Sequence, residues 1–381
     1  MNLPFRVLQV LTIMNRGGAE TMIMNYYRNM DRSKVQFDFL LHREERGAFD
    51  DEIESLGGKI YRMPPISPNN AFKYRAKLKE FFKTHHYSVV HSHLNGLSYY
   101  VLKAAKQAGT KTRVAHSHIA IEPITIGSFF APNKRLVFTI KDCIQNLLKK
   151  KVLKVATNYF ACGTSAGKWL FGEHEMDKVN VINNAIDSSN FVFNSDKAQE
   201  IKKDLNLENK RIIGHVGRFD DQKNHFFLID IFNEIHNKNS EIDLVLIGEG
   251  HLKNQVIEKV KKYKLEKNVH FLGVRNDVHE LLNGMDIILF PSLYEGLPVS
   301  LIEAQASGLR ILTSNTVTSK INVTGLVHFR SLDDSAVEWA NLLLNLIDYK
   351  RENMKKKIIE ANYDIKSNAL VLQKFYLDNL E

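Results

Sequence analysis

At 381 residues the chain is long for one core and comfortable for two, and 44% apolar with 25% charged residues excludes a disordered or fibrous polymer. Two cysteines, Cys143 and Cys162, exclude a disulfide framework and a cysteine-rich metal centre and fit a reducing compartment. The formal charge of +9 is lopsided: residues 1–180 carry 27 Lys+Arg against 15 Asp+Glu, and residues 181–381 carry 25 against 28, so an anionic partner is expected to meet the first half.

From the first residue onward, apolar runs alternate with helical patterns. FRVLQVL (5–11), FDFLL (37–41), SVV (88–90), RVA (113–115) and YFA (159–161) predict strands. Helical spacing falls near 19–30, 71–84, 95–108, 134–156 and 164–172. After an Asn- and Ser-rich stretch, NVINNAIDSSNF (180–191), the alternation starts afresh. RIIGHVG (211–217), DLVLIG (243–248), VHFLG (269–273), DIILF (286–290) and RILTS (310–314) predict strands, with helices near 224–237, 250–263, 276–283, 298–307 and 334–348. Strand–helix alternation implies parallel, doubly wound sheets, here two Rossmann-like domains, with a ligand expected in a cleft outside the carboxyl ends of the strands. No run of about eighteen uncharged apolar residues occurs, so the expected location is the cytoplasm, with membrane contact at the surface.

The chemistry-bearing motifs follow predicted strands. In MNRGGAET (14–21), Gly17 and Gly18 precede a helix start, where free amides suit an anion. The spacing is not G-x-G-x-x-G, so it gives no support to a nicotinamide cofactor. In GRFDDQKNH (217–225), Arg218 and Lys223 flank an acidic turn before a helix, and two cations so placed suit a diphosphate. IGEGHL (247–252) repeats the arrangement with Gly248 and Gly250. FPSLYEGLPVSLIEAQASGL (290–309) places Glu295 in a loop and Glu303 eight residues on, in the next helix, with Pro298 suited to its first position. The amides of Gly296, Leu297 and Val299 between them could face phosphate. A glycosidase carboxylate pair competes for this stretch, but it explains neither the cations nor the glycine-rich strand ends.

The tripeptide His-Ser-His ends two runs, VVHSH (89–93) and RVAHSH (113–118). Alternation along a strand puts both histidines of each triplet on one side, which permits zinc. No D-x-D carboxylate pair accompanies them.

Taken in order, GGAE, the two HSH segments, GRFDDQKN, IGEG, FLGVRNDV and YEGLPVSLIEA resemble the retaining glycosyltransferases of the GT-B fold, in the large family 4 that includes bacterial capsule and exopolysaccharide enzymes. The resemblance covers nearly the whole chain. It implies an acceptor-binding domain over 1–183, a nucleotide-sugar domain over 184–362, and a C-terminal helix over 363–381 that crosses back to the first domain. It implies a donor held as follows: Arg218 and Lys223 on the diphosphate, Glu303 on the ribose, Glu295 with the loop Gly296, Leu297 and Pro298 on the sugar, Gly273, Val274 and Arg275 along the base, and Gly17 and Gly18 bordering the phosphates and the acceptor, with Gly248 and Val299 also among the donor-binding residues. His118 would face the reaction centre, with His91, His93 and His116 as strand-end histidines bonded to backbone. The expected reaction moves a hexose or N-acetylhexosamine from a nucleotide diphosphate sugar, most simply a UDP-sugar, to a lipid-linked saccharide in polysaccharide biosynthesis. No metal, cofactor or nucleic acid is expected. A GT-B sugar-nucleotide epimerase and a non-catalytic glycan-binding partner of a glycosylation complex are the alternatives. Two departures from the family pattern, Arg310 where Pro is common and Lys320 in place of a glutamate, point to a different donor preference. Residues 134–154 hold seven basic residues and one acidic residue on an amphipathic spacing, which suits either a domain helix or the anionic inner face of a membrane.

Overall fold

The computed structural model describes residues 3–66, 70–118 and 140–380, with side chains of the helix Ile140–Val152 described from Gln145 onward. The basic segment before residue 140 lies outside the described residues. The chain forms two compact units, Met1–Ala185 with Ile365–Glu381, and Ile186–Asp364. Each crossing between units falls two residues beyond the boundary expected from sequence.

The first unit is built on seven parallel strands: β1 (Phe5–Leu11), β2 (Val35–Leu41), β3 (Lys59–Arg62), β4 (Val89–Ser92), β5 (Thr112–Ser117), β6 (Asn158–Ala161) and β7 (Val179–Val181). Their spatial order is 3-2-1-4-5-6-7. A central parallel strand is covered on both faces, so β2 (VQFDFLL) is buried at all seven positions. Its one charge, Asp38, accepts from Arg6 Nε at 2.8 Å, Tyr87 Oη at 2.8 Å and Lys59 N at 2.9 Å, which removes the penalty of burying it. The helix Ile365–Leu377 belongs to this unit. It buries Ile365, Ala369, Leu372 and Tyr376 in the same core as Val7, Ile23 and Phe37.

The second unit carries six parallel strands: β8 (Arg211–Val216), β9 (Ile242–Ile247), β10 (Val269–Gly273), β11 (Ile287–Phe290), β12 (Arg310–Ser314) and β13 (Val327–Arg330), in the order 10-9-8-11-12-13. The helix Ala336–Leu346 covers one face and buries Trp339. A capping box starts it, Ser335 with Glu338, as the S-x-x-E spacing allows.

In each sheet the strand order reverses beside the first strand of the unit, between β1 and β4 and between β8 and β11. Ligands of open parallel sheets bind at such reversals, at the carboxyl ends. The two His-Ser-His segments straddle the ends of β4 and β5, and the Arg218–Lys223 and Glu295 loops leave the ends of β8 and β11. Among the described residues no helix is long and apolar enough to cross a membrane.

Candidate functional site

In the second unit, the loop leaving β8 is rigid by construction. Asp220 caps the short turn Asp221–Lys223 through the Lys223 amide, and Asn224 adopts a left-handed conformation (φ 54°) before the helix His225–Lys238. Gly248 fixes this loop from beneath. Its φ is +140°, and a Cβ there would lie 2.0 Å from the Gly217 carbonyl oxygen. A Cβ at Gly250 would meet the Phe219 carbonyl oxygen at 2.3 Å. The two glycines of IGEG thus let the end of β9 pack against the backbone that carries Arg218.

Two further bonds tie this loop to the one leaving β11: Leu293 N donates to Gln222 O at 2.8 Å, and Gln222 Nε2 donates to Tyr294 O at 3.0 Å. The result is a close pair. Lys223 Nζ lies 2.5 Å from Glu295 Oε1 and 4.5 Å from the centre of the Phe290 ring, and Ser292 Oγ donates to the same carboxylate oxygen at 3.1 Å. Both charges are largely buried, with side-chain exposures of 13% and 8%. Arg218 is different: its side chain is 78% exposed, and among the described residues its guanidinium pairs with Asp220 alone, at 3.3 Å.

Pro298 stands just before the helix Val299–Ala306 rather than in its first position. Glu303 projects from the second turn. Burial pushes its carboxyl up to about 7, and no hydrogen bond to that carboxyl is found among the described residues. A Cβ at Gly296 would meet nothing within 4 Å. On the far side of β9, Val274 is 68% exposed and Arg275 pairs with Asp277 at 2.5 Å.

In the first unit, Gly17 precedes the helix Gly18–Asn29. The anion expected at this helix start is anticipated by the chain itself. Glu20 folds back so that a Cβ on Gly17 would lie 2.3 Å from Glu20 Oε2, and burial pushes this carboxyl above the usual range.

The four histidines do converge. Rings of His91 and His93 stack at 4.4 Å and those of His116 and His118 at 4.1 Å, so each triplet presents both rings on one side. Sequence analysis expects His91, His93 and His116 to bond to backbone. Instead they bond to side chains. His91 Nδ1 lies 2.7 Å from Tyr376 Oη and His91 Nε2 lies 3.1 Å from His116 Nδ1. His93 lies 2.9 Å from Gln9 Oε1 through Nε2 and 2.8 Å from His118 Nε2 through Nδ1. Burial pushes His91 and His118 down to about 3 and holds His93 and His116 well below the usual imidazole range, so all four are neutral. Ligand nitrogens of His91, His93 and His116 lie within 4.8 Å of one another, close enough for a metal ion. Their rings lie stacked or tilted against one another, however, and hydrogen bonds already engage every nitrogen of the three except His116 Nε2.

Residues 16–190 match the profile described as "Glycosyltransferase Family 4", and residues 196–361 match "Glycosyl transferases group 1". EpsF of Bacillus subtilis (strain 168), which carries a glycosyltransferase's name, is 38% identical over 380 residues, covering 97% of this chain and 96% of that one. The chain belongs to the family 4 glycosyltransferases. A second relative, the Escherichia coli "UDP-Gal:alpha-D-GlcNAc-diphosphoundecaprenol alpha-1,3-galactosyltransferase", is 25% identical over 363 residues, covering 90% of this chain and 89% of its own. Among solved structures, Anabaena Alr3699/HepE in complex with UDP aligns over 99% of this chain and 96% of its own, with a TM-score of 0.71 and 17% identity. That likeness, with the two parallel sheets, establishes the GT-B fold.

Sequence reasoning about this glycosyltransferase missed Gln9, Ser292 and Tyr376. Gln9 left a signal, a polar residue inside the apolar run FRVLQVL. Tyr376 left none, because nothing in its own helix says that its hydroxyl meets β1 and β4. The departure at Arg310 has a structural explanation. Arg310 opens β12 at its amino end, lies 4.4 Å over the Tyr349 ring and donates to Leu346 O at 3.1 Å. It is therefore spent on packing, and the donor preference inferred from it has no support there.

Proposed function

We propose that this glycosyltransferase moves a hexose or N-acetylhexosamine from a UDP-sugar to a lipid-linked saccharide, with retention at the anomeric carbon and without a metal. The observation that carries the reading is the buried Lys223–Glu295 pair between the loops that leave β8 and β11, with Glu303 on the helix that follows, its carboxyl without a hydrogen bond among the described residues. The names of the Escherichia coli relative and the Anabaena neighbour, one a UDP-Gal transferase and one crystallised with UDP, support the choice of nucleotide. The former's diphosphoundecaprenol supports the acceptor class.

In this reading Glu303 accepts hydrogen bonds from the ribose diol, and Glu295 from the sugar hydroxyls. The amides of Gly296, Leu297 and Val299 and the side chains of Arg218 and Lys223 face the diphosphate, and Val274 and Arg275 flank the base. The bond between C1 and the diphosphate oxygen breaks while the acceptor oxygen bonds to C1 on the same face. The acceptor proton passes to the departing diphosphate. Negative charge grows on the leaving group, so Arg218 and Lys223 stabilise the transition state more than the ground state. From the first unit, Gly17, Gly18 and His118 serve the saccharide and phosphate side. The exposed Leu147, followed by Lys149, Lys150 and Lys151, suits contact with an anionic membrane that carries the acceptor.

The test is transfer from a panel of UDP-sugars to a synthetic polyprenyl-diphosphate saccharide, in EDTA, with product anomers assigned by NMR. An inverted anomer or an absolute need for a divalent ion would overturn the mechanism. Binding of the chain to phosphatidylglycerol vesicles tests the membrane contact, and no sedimentation at low salt would remove it.

A further inference from the structure

Gln9, Tyr376 and the four histidines form one continuous hydrogen-bonded chain inside the first unit, and the amide of Gln9 gives it a direction. Gln9 Nε2 donates to Tyr376 Oη at 3.1 Å, and Tyr376 Oη lies 2.7 Å from His91 Nδ1. An amide nitrogen only donates, so Tyr376 accepts from Gln9 and keeps its own proton for His91. With its amide nitrogen committed to Tyr376, Gln9 must turn its carbonyl oxygen to His93, 2.9 Å away. An amide oxygen only accepts, so His93 carries its proton on Nε2. His93 Nδ1 is then a lone pair and accepts a hydrogen bond from His118 Nε2–H at 2.8 Å. The other branch runs the same way: His91 Nε2 donates to His116 Nδ1 at 3.1 Å, and the proton of His116 sits on a buried Nε2 that has no partner among the described residues.

Exposure grades along this chain. Gln9, His91 and Tyr376 are 0% exposed, His116 1% and His93 5%, while His118 alone is half-buried. The His118 backbone is pinned as well, its N–H donating to Asn95 Oδ1 at 2.9 Å, with Asn95 itself in a left-handed conformation (φ 53°). His118 Nδ1 has no partner among the described residues.

We propose that Gln9 is a positioning residue that holds neutral His118 in its Nε2–H tautomer, so that Nδ1 offers a lone pair to a sugar hydroxyl. The hydroxyl half of this inference rests on the reaction proposed above; the tautomer half rests on the geometry alone. A neutral imidazole in water exchanges between tautomers, and only one of them accepts at Nδ1. Gln9 removes that ambiguity from two residues away, as an outer partner orients a ligand-binding histidine elsewhere.

The experiment uses the full chain labelled with 15N-histidine and long-range 1H–15N NMR at neutral pH. Fifteen histidines give overlapping signals, and His118→Gln identifies the one that matters. In the unaltered protein the expected pattern is a protonated Nε2 and a bare Nδ1, and a protonated Nδ1 or an averaged pair of shifts there overturns the proposal without any variant. In Gln9→Met, which keeps the length and loses both hydrogen bonds, the His118 shifts should move toward the average. Transfer should lose about tenfold in kcat, with the KM for the UDP-sugar unchanged. A single Nε2–H tautomer in Gln9→Met overturns Gln9 as its cause. If the tautomer responds as expected but Gln9→Met and His118→Gln both transfer sugar at the unaltered rate, the reaction role of His118 falls. If His118→Gln abolishes transfer while the tautomer ignores Gln9, the relay falls and the reaction stands.

Discussion

Lys223 and Glu295 stand 72 positions apart in sequence and 2.5 Å apart in space. The contact joins the loops that leave β8 and β11, the two strands flanking the reversal of the second sheet. In the ligand-free protein each charge is the other's solvent. A diphosphate and a sugar would arrive at a cation and an anion already fixed in place.

Removing one partner should therefore cost more than a surface pair would. Lys223→Met leaves Glu295 buried without its cation, a loss of about 3 kcal/mol in urea unfolding. The double variant Lys223→Met with Glu295→Gln should recover most of that stability and none of the transfer. Recovery of transfer in the double variant would show that the pair serves only the fold.

Glu303 makes the donor site sensitive to pH. Its carboxyl is held up to about 7 by burial, so it is protonated below that pH and ionised above it in the free protein. Only the ionised form has two acceptors free for a ribose diol. UDP affinity measured by calorimetry should rise between pH 6 and pH 8, and Glu303→Gln should flatten the profile. The stability effect has the opposite sign. A carboxyl whose pKa is raised by folding is neutral in the folded state and mostly neutral in the unfolded state at pH 4, and it opposes folding as the pH passes from the unfolded value up through about 7. Glu303→Gln should thus be more stable than the unaltered protein at pH 8 and equal to it at pH 4.

Gly248 and Gly296 make opposite predictions from the same substitution. Alanine at 248 would place a methyl group 2.0 Å from the Gly217 carbonyl oxygen and force a left-handed residue, displacing the Arg218 loop. Gly248→Ala should lose UDP binding and melt several degrees lower. Gly296→Ala meets nothing within 4 Å and should melt as the unaltered protein does. Equal melting temperatures for the two would sink the account of the β9 turn.

Ligand and chelator should act independently. Because UDP binds only the folded site in this scheme, UDP at a hundredfold excess over its Kd should stabilise by about 2.7 kcal/mol, and EDTA should leave both the free and the bound melting temperatures unchanged. A drop with EDTA alone would return His91, His93 and His116 to the role of metal ligands.

The ten strands that the sequence predicts all form, because central parallel strands are apolar on both faces and announce themselves as runs. The three it misses, β3, β7 and β13, have four, three and four residues and are mostly part-exposed. KIYR, VNV and VHFR lack the run that burial on two sides would write into them. The site divides in the same way. Arg218, Lys223 and Glu295 are legible as candidates because charged residues in loops just past apolar strands need a reason, and Glu303 because it follows them on the next helix. Gln9 and Tyr376 are not, because a hydrogen bond between residues 367 positions apart leaves no local pattern.

The hydroxyl of Tyr376 completes a network that starts at Gln9. A polypeptide leaves the ribosome amino end first, so the first sheet is synthesised in full while its last core helix is still some two hundred residues away in the message. The intervening unit, Ile186–Asp364, is contiguous and can close as soon as it emerges. The unit whose synthesis begins first is thus the last to have all of its chain. A chain ending between residues 364 and 376 would hold the whole second unit, while His91 would lack the hydroxyl that meets its Nδ1.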